Sequence, residues 1–283
     1  MLKQRVITAI ILLAILLPAL FYPAPEPLCL LAVVAIAAAT WEWGKMNGLA
    51  QPKALGLSIL MVLACALSWI MGLLTSHTPT LWTVVGGAWV LGGAWLLRRG
   101  VDGWGRISGA VRGFFGFVAL WAAWLAICQA RVIGVNFLLS VLLLVWVADI
   151  GAYFAGRAFG TKFFKNKLAP AISPGKSWEG VCGGMLGVLL LALGWVWADH
   201  ANQAVVASLY TRLAQQSGVL LVLAALFMAA MSVAGDLIES LVKRSAGVKD
   251  SSGLLPGHGG VLDRVDALLP TLPLAMMLAS IVG

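Results

Sequence analysis

A dense polar segment, residues 240–266, lies near the end of an otherwise lipid-like sequence. Only 11% of all residues are charged. Yet this segment, together with Asp236 and Glu239 just before it, carries five carboxylates, four basic side chains and a histidine. Because ionisable groups are costly in a membrane, such a concentration usually marks a functional site.

The residues that lead into this segment would share one face of a helix. Asp236, Glu239 and Lys243 stand at positions i, i+3 and i+7, which places them along one side. Ser240, at i+4, belongs to the same side. The carboxylates of this face could hold a divalent cation and the lysine a phosphate group. The alternative interpretation is that these side chains only reach towards water or pair with one another at a helix end.

A glycine-rich loop follows, and it ends in two closely spaced carboxylates. Glycines concentrated in residues 253–260 permit unusual backbone angles and allow amide groups to approach a ligand. Asp263 and Asp266 then stand three positions apart, on either side of Arg264. Mg²⁺ is commonly held by one or two carboxylates together with substrate phosphates, so we predict a metal and phosphate site here. His258 would either contact the ligand or brace the loop.

A second polar connection contains Ser173-Pro-Gly-Lys-Ser177. Its Gly-Lys-Ser ending is not a P-loop, because Pro170 stands where that motif needs a glycine. The local chemistry nevertheless suits phosphate, since Lys176 lies between two hydroxyl side chains just before a predicted helix, whose N-terminus favours anions. Further along, Gly183 and Gly187 form a GxxxG pattern that predicts helix packing.

The elements that must position these residues are predicted to be membrane helices. With 61% hydrophobic residues and a mean hydropathy of +0.97, the chain lacks the polar surface of a soluble globule. Its apolar runs, about 16 to 21 residues long, would cross a hydrocarbon core of about 30 Å as helices. The alternation typical of a membrane β-barrel is absent from the sequence. We predict an all-α, polytopic membrane protein with about nine transmembrane helices.

The predicted spans share an apolar run without interior charge. They are residues 6–22, 28–40, 55–74, 81–97, 114–130, 132–148, 180–198, 218–238 and 267–282. We assign residues 1–113 to an N-terminal scaffold of about four helices and residues 114–283 to a catalytic region of about five. Lys3 and Arg5 before the first run also resemble a signal peptide, but a membrane anchor is preferred.

Basic residues set the predicted orientation. With the N-terminus inside, 17 of the 19 lysines and arginines fall on the cytoplasmic side, and only Arg131 and Arg212 fall outside. This asymmetry predicts a multi-pass protein of a bacterial-type inner membrane, with the N-terminus and the active site cytoplasmic. It also accounts for the net charge of +8 without a nucleic-acid partner.

The polar segments together resemble the phosphatidate cytidylyltransferases, also called CDP-diacylglycerol synthases. The resemblance rests on the run from Ser240 to Asp266, on Asp149-Ile-Gly-Ala-Tyr-Phe-Ala-Gly-Arg157, and on residues 173–180. It covers roughly the C-terminal half of the chain. It implies that phosphatidic acid attacks the α-phosphorus of CTP at a lipid bilayer, giving CDP-diacylglycerol and pyrophosphate, with Mg²⁺ and with K⁺ as a second metal.

The resemblance also implies roles for individual residues. The metal ligands would be Asp236 and Asp263, supported by Asp266 and Glu239. Catalysis would use Asp236, Lys243, Asp263, Arg264 and Asp266, and the substrate-binding residues would be Ser173, Lys176, Ser177, Arg244, Lys249, Asp250 and His258. Asp149 would either orient a basic residue or contact the nucleotide.

Two other functions fit part of the sequence. A CTP-dependent polyprenol kinase would act on an alcohol and so require a general base, for which His258 is the histidine candidate. A transporter would place ionisable residues in the middle of its spans, whereas here nearly all lie at span ends or in loops. The sequence leaves acyl-chain preference, CTP against dCTP selectivity, the lipid entry route and the assembly open, a homodimer being one possibility.

Overall fold

The computed structural model describes residues 2–283, whose regular secondary structure is helical. Two isolated β-bridges, Ala169 with Ser173 and Leu255 with Gly259, are the other regular features of these residues. The helices are α1 (Leu2–Phe21), α2 (Glu26–Met46), α3 (Gln51–Ile70), α4 (Pro79–Gly105), α5 (Gly109–Ile133), α6 (Val135–Phe159), α7 (Trp178–Ala201), α8 (Leu209–Gln216), α9 (Gly218–Ser245), α10 (Leu262–Val265) and α11 (Leu268–Val282).

Nine segments of the described chain are long and apolar enough to cross a membrane, which confirms the predicted class. The ninth combines α10 and α11, residues Leu262–Val282. Many large apolar side chains on these helices are exposed, among them Ile10, Ile59 and Leu91, as expected of a surface that meets lipid. The chain is therefore a multi-pass helical membrane protein.

Several helices run further than the apolar runs indicate. Helix α2 continues to Met46, and α9 continues to Ser245, beyond the predicted ends of their spans. Helix α8 was not predicted, because its eight residues are too few to cross a membrane. Leu209 and Leu213 on α8 are nevertheless buried in the core.

Glycines bring α6 and α7 into close contact. A Cβ atom on Gly151 would lie 2.7 Å from the carbonyl oxygen of Gly183, and one on Gly184 would lie 2.7 Å from that of Ala148. Gly187 packs against Val147 one turn further along. The packing role predicted for the GxxxG pattern is confirmed, and this contact places Asp149, two positions before Gly151 on α6, beside the first turns of α7.

Helix α9 packs against α4, α6, α7, α8 and α11. It comes close to the last span at Gly235, where a Cβ atom would lie 2.7 Å from the carbonyl oxygen of Asp266. Only a residue without a side chain permits this distance. This close approach brings the C-terminal part of α9 beside the start of the last span, where Lys243 contacts Asp263.

The N-terminal helices also contact the glycine-rich loop. Arg5 on α1 donates from Nε to the Gly257 carbonyl at 3.0 Å, and Thr8 donates to the Pro256 carbonyl at 2.9 Å. Helix α2 contacts α10. The division into residues 1–113 and 114–283 stays a prediction, but the two parts meet at the glycine-rich loop.

Candidate active site

The two polar connections predicted to act together do meet, at one end of the helix bundle. This end contains the C-termini of α2, α6 and α9 and the N-termini of α7 and α10. Lys176, from the first connection, forms an ion pair with Asp236 on α9, with 2.6 Å between Nζ and Oδ2. The Asp236 side chain also accepts a hydrogen bond from Ser240 at 3.2 Å, one turn further along α9.

A second lysine binds two carboxylates. Lys243 on α9 forms an ion pair with Glu239 one turn earlier and a 2.6 Å contact with Oδ1 of Asp263. Glu239 is buried, and neither of its carboxylate oxygens has a partner with hydrogen-bond geometry. The predicted face of Asp236, Glu239 and Lys243 is thus present on α9, and it is directed at the start of the last span.

Carboxylates outnumber cationic groups in this cluster. Asp149, Asp236 and Asp266 lie close enough for their charges to repel one another, and Asp266 also interacts with Lys243. Together with Glu239 and Asp263, five carboxylates share two ammonium groups, those of Lys176 and Lys243. The surplus of negative charge would be relieved by a bound cation.

Asp263 organises the loop that precedes it. Its Oδ2 accepts hydrogen bonds from the backbone N–H and the hydroxyl of Ser251, both at 2.9 Å, and from the Gly260 N–H at 2.7 Å. Gly259, with φ at +83°, lies in the left-handed region that glycine adopts without strain. The same carboxylate therefore closes the loop and contacts Lys243 through its other oxygen.

Glu42 is a site residue that the sequence analysis missed. It lies on α2, is fully buried, and accepts hydrogen bonds from the backbone N–H groups of Val261 at 2.9 Å and Leu262 at 2.7 Å. It also accepts hydrogen bonds from the hydroxyl groups of Ser251, at 3.1 Å, and Ser252, at 2.5 Å. The available signal was an acidic residue at the end of an apolar run, which is costly without a partner.

Two of the predicted phosphate-binding residues brace the loops instead of standing free. The Arg264 guanidinium donates to the His258 carbonyl, at 2.9 Å from Nε. Arg244 donates to the carbonyls of Ile172 and Val248, both at 3.3 Å, and so joins the two connections. His258 Nδ1 is buried without a hydrogen-bond partner, which keeps both of its proposed roles open.

The remaining predicted substrate-binding residues divide into capping and exposed positions. Ser177 is the N-cap of α7, and its hydroxyl accepts the Gly180 N–H at 3.1 Å. The Ser173 carbonyl accepts the Lys176 N–H at 3.2 Å in a tight turn. Lys249 and Asp250 are exposed, and neither has a side-chain hydrogen bond or ion pair within residues 2–283. Their roles in binding stay predictions.

Known proteins resemble the whole of this chain. Its sequence matches the Cytidylyltransferase family over residues 3–282. The chain belongs to this family. A phosphatidate cytidylyltransferase of Pseudomonas aeruginosa is 36% identical over 282 residues, which cover 96% of this chain and 95% of that protein. One from Haemophilus influenzae is 37% identical over 298 residues, with 96% of each covered. One from Staphylococcus aureus is 41% identical over 150 residues, 53% of this chain and 51% of that protein.

The donor atoms of this cytidylyltransferase fit a hard divalent cation, although no three acidic, histidine or cysteine residues within 2–283 are already arranged as a metal site. Oε1 of Glu239 is buried without a hydrogen bond or an ion pair, whereas its Oε2 is paired with Lys243. Asp236 and Asp266 lie in the same cluster. Carboxylate oxygens are the ligands that Mg²⁺ prefers. Both oxygens of Asp263 already accept hydrogen bonds from the protein, and both oxygens of Asp236 likewise contact Lys176 and Ser240.

Proposed function

We propose that this protein transfers the cytidylyl group of CTP to phosphatidic acid, giving CDP-diacylglycerol and pyrophosphate. The observation that carries the proposal is the pairing of Lys176 with Asp236 and of Lys243 with Asp263 at one end of a membrane bundle. Such an end offers cationic groups to phosphates and lies where a lipid headgroup can reach. The whole-length similarity to phosphatidate cytidylyltransferases names the substrates.

The nucleophile needs no general base from the protein. A phosphate monoester has its second pKa near 6, so the phosphatidate oxygen is already anionic at neutral pH. That oxygen forms a bond to the α-phosphorus of CTP, while the bond from this phosphorus to the oxygen shared with the β-phosphate breaks. Pyrophosphate leaves with that oxygen and its electron pair, and no proton transfer is required.

The principal barrier is the repulsion between two anions, and the lysines are placed to lower it. Lys176 and Lys243 would bind phosphate oxygens, and their carboxylate partners hold each ammonium group in position beforehand. Preorganised cationic groups of this kind stabilise the charge that develops on a leaving group. The pairing with Asp236 leaves Lys176 about a quarter exposed, at 26%, so that a substrate can reach it.

Mg²⁺ held by Asp236, Asp266 and Glu239 would neutralise part of the phosphate charge. Asp236 and Asp263 could each serve as a ligand only by exchanging one of their present contacts with the protein. K⁺ as a second metal belongs to the same proposal, since the five carboxylates of the cluster carry more negative charge than its two lysines balance.

We place the site on the cytoplasmic face of a bacterial inner membrane, where CTP is available. The supporting observation is the 17 to 2 distribution of basic residues. His77 and Arg212, predicted to lie outside, line one cavity together, which supports their assignment to the same side of the membrane. No nucleic-acid partner is part of the proposal, and a homodimer remains a hypothesis.

The test supplies the purified protein in detergent micelles with Mg²⁺, CTP labelled in its α-phosphate, and either phosphatidic acid or a polyprenol. We expect the label to enter the lipid phase and pyrophosphate to appear only with phosphatidic acid. Release of CDP with the polyprenol would instead show a kinase that transfers the γ-phosphate. Reactions without lipid measure background hydrolysis of CTP.

A further inference from the structure

A cavity of about 500 Å³ lies at the same end of the bundle, beside the carboxylate cluster. Its walls come from the C-terminal end of α2 and the two residues after it, the first turn of α5, and the segment 246–251 that follows α9. The lining residues are Lys45, Met46, Asn47, Gly48, Arg112, Ala246, Val248 and Ser251. None of the residues proposed above to bind substrate or metal is among them.

The charge of this cavity has one sign. Lys45 and Arg112 line it, and no acidic residue does. Neither of the two forms an ion pair within residues 2–283, although the other lysines of the site, Lys176 and Lys243, are both paired. Two unpaired cations facing one space repel each other, and an anion bound between them would remove that cost.

Arg112 is held in place but is not fully hydrogen-bonded. Its carbonyl accepts the Trp43 indole N–H at 3.1 Å, and its guanidinium carbon lies 5.9 Å from the centre of the Trp104 ring. Its Nε atom is buried without any hydrogen-bond partner. A buried donor without a partner is costly. A guanidinium fixed in this way suits the oxygens of a phosphate group, which it can bind with two parallel hydrogen bonds.

The cavity is connected to the carboxylate cluster by a short series of contacts. Ser251 forms part of its wall and donates its hydroxyl to Asp263 at 2.9 Å. Asp263 in turn contacts Lys243 at 2.6 Å. Two side chains, those of Ser251 and Asp263, would therefore separate a phosphate group in the cavity from Lys243, the lysine that we assign to catalysis. One extended substrate, such as a nucleoside triphosphate, could span that separation.

We propose that Lys45 and Arg112 form a phosphate-binding subsite for one of the two substrates, CTP or phosphatidic acid. This inference rests on the proposed function, which supplies the substrates. It assigns a binding role to the N-terminal part of the chain, which the sequence analysis treated as scaffold. Both ligands present the same chemistry, a multiply charged phosphate, and the experiment distinguishes between them.

The experiment measures kcat and the two KM values of the purified chain in mixed micelles, for the wild type, Lys45→Gln and Arg112→Gln. The matched control is Arg106→Gln, which removes one exposed positive charge from a residue that does not line the cavity. Arg112→Lys tests the guanidinium separately, because lysine keeps the charge but offers no Nε donor. Melting temperatures show whether each variant folds. Lys45 is exposed, so Lys45→Gln should fold and can test the subsite even if an Arg112 variant does not fold.

We expect Lys45→Gln and Arg112→Gln each to raise the same KM by about tenfold or more, as the loss of a charge-assisted hydrogen bond does. A rise in the KM for CTP assigns the subsite to the nucleotide, and a rise in the KM for phosphatidic acid assigns it to the lipid. If both KM values match those of Arg106→Gln, the subsite does not exist.

Failure of the proposed function would be recognised separately. In that case the wild type would form no labelled lipid from phosphatidic acid at all. Equilibrium binding of labelled CTP, and of phosphatidic acid in micelles, to the wild type and to Lys45→Gln would then decide the subsite. Equal affinities of the two proteins for both ligands would overturn it.

Discussion

Glu42 and Leu262 are separated by 220 positions in the sequence, yet the Glu42 carboxylate accepts the Leu262 backbone N–H at 2.7 Å. The same side chain binds Val261 and two serine hydroxyls. These contacts hold both ends of the loop that Asp263 closes from the other side. A buried residue of the second helix thus determines where the glycine-rich loop lies.

We predict that Glu42→Gln lowers activity by on the order of 10- to 100-fold, because the loop and Asp263 shift relative to α9. Each Glu42 oxygen accepts a hydrogen bond from one backbone N–H. In either orientation of the glutamine amide, its N–H₂ group would therefore face a backbone N–H, and that hydrogen bond would be lost. The free energy of unfolding should fall by about 2 kcal/mol. Pyrophosphate release and thermal melting measure the two effects.

Glu26→Gln is the matched control for this prediction. It makes the same substitution on the same helix at an exposed position, and it should leave both quantities unchanged. Wild-type activity in Glu42→Gln would show that the loop does not depend on this carboxylate.

Lys176→Ala should reduce turnover by on the order of 10²-fold, because a cationic group that stabilises the leaving phosphate is lost. Melting temperature should change little, since the side chain is partly exposed and its ion pair with Asp236 contributes little to folding. Lys165→Ala, an exposed lysine of the same connection, is the control. If the two variants were equally active, this connection would have only a structural role.

Asp236→Asn and Asp263→Asn should both lose on the order of 10²-fold or more in rate, but for different reasons. Asp236→Asn should raise the Mg²⁺ concentration needed for activity and leave stability nearly intact. Asp263→Asn should also lower stability, since the Asp263 side chain is only 7% exposed, against 31% for Asp236, and an amide nitrogen there must oppose one of the buried donors. Pyrophosphate release against Mg²⁺ concentration, combined with melting curves, separates the two.

Asp250→Asn is the comparison for these variants. Asp250 is exposed on the same loop, and its substitution should have a milder effect. Full activity of Asp236→Asn at ordinary Mg²⁺ would exclude it as the principal metal ligand.

Gly151→Ala should lower the free energy of unfolding by about 1–3 kcal/mol, because a Cβ atom there would lie 2.7 Å from the Gly183 carbonyl oxygen and backbone atoms cannot move aside cheaply. Gly194→Ala on α7 is the control, since a Cβ atom there meets nothing within 4 Å. Melting in detergent measures the difference. Equal stability of the two variants would mean that α6 and α7 pack less closely than described.

The orientation can be checked by single cysteines in a cysteine-free background. Cysteines at Lys165 and Lys249 should react only when a membrane-impermeant reagent reaches the cytoplasmic side, and those at His77 and Arg212 should react from outside the cell. Reaction of the Lys249 position from outside would reverse the proposed topology.

The sequence by itself determined the membrane class, the nine spans and the face of Asp236, Glu239 and Lys243 on one helix. Each of these follows from local composition or from a helical period, which are properties of neighbouring residues. The Lys243 pair with Glu239 is likewise an i, i+4 contact. For the same reason the polar loops could be recognised before their positions in space were known.

Only the tertiary structure showed that Glu42 supports the glycine-rich loop, that Lys176 pairs with Asp236, and that Lys45 and Arg112 line one cavity. These residues come from helices and loops far apart in the sequence. Their meeting depends on how closely helices pack, as at Gly151 and Gly235, where the absence of a side chain lets backbones approach. Distances of that kind are set by the complementary surfaces of two helices, and no periodicity within one helix encodes them.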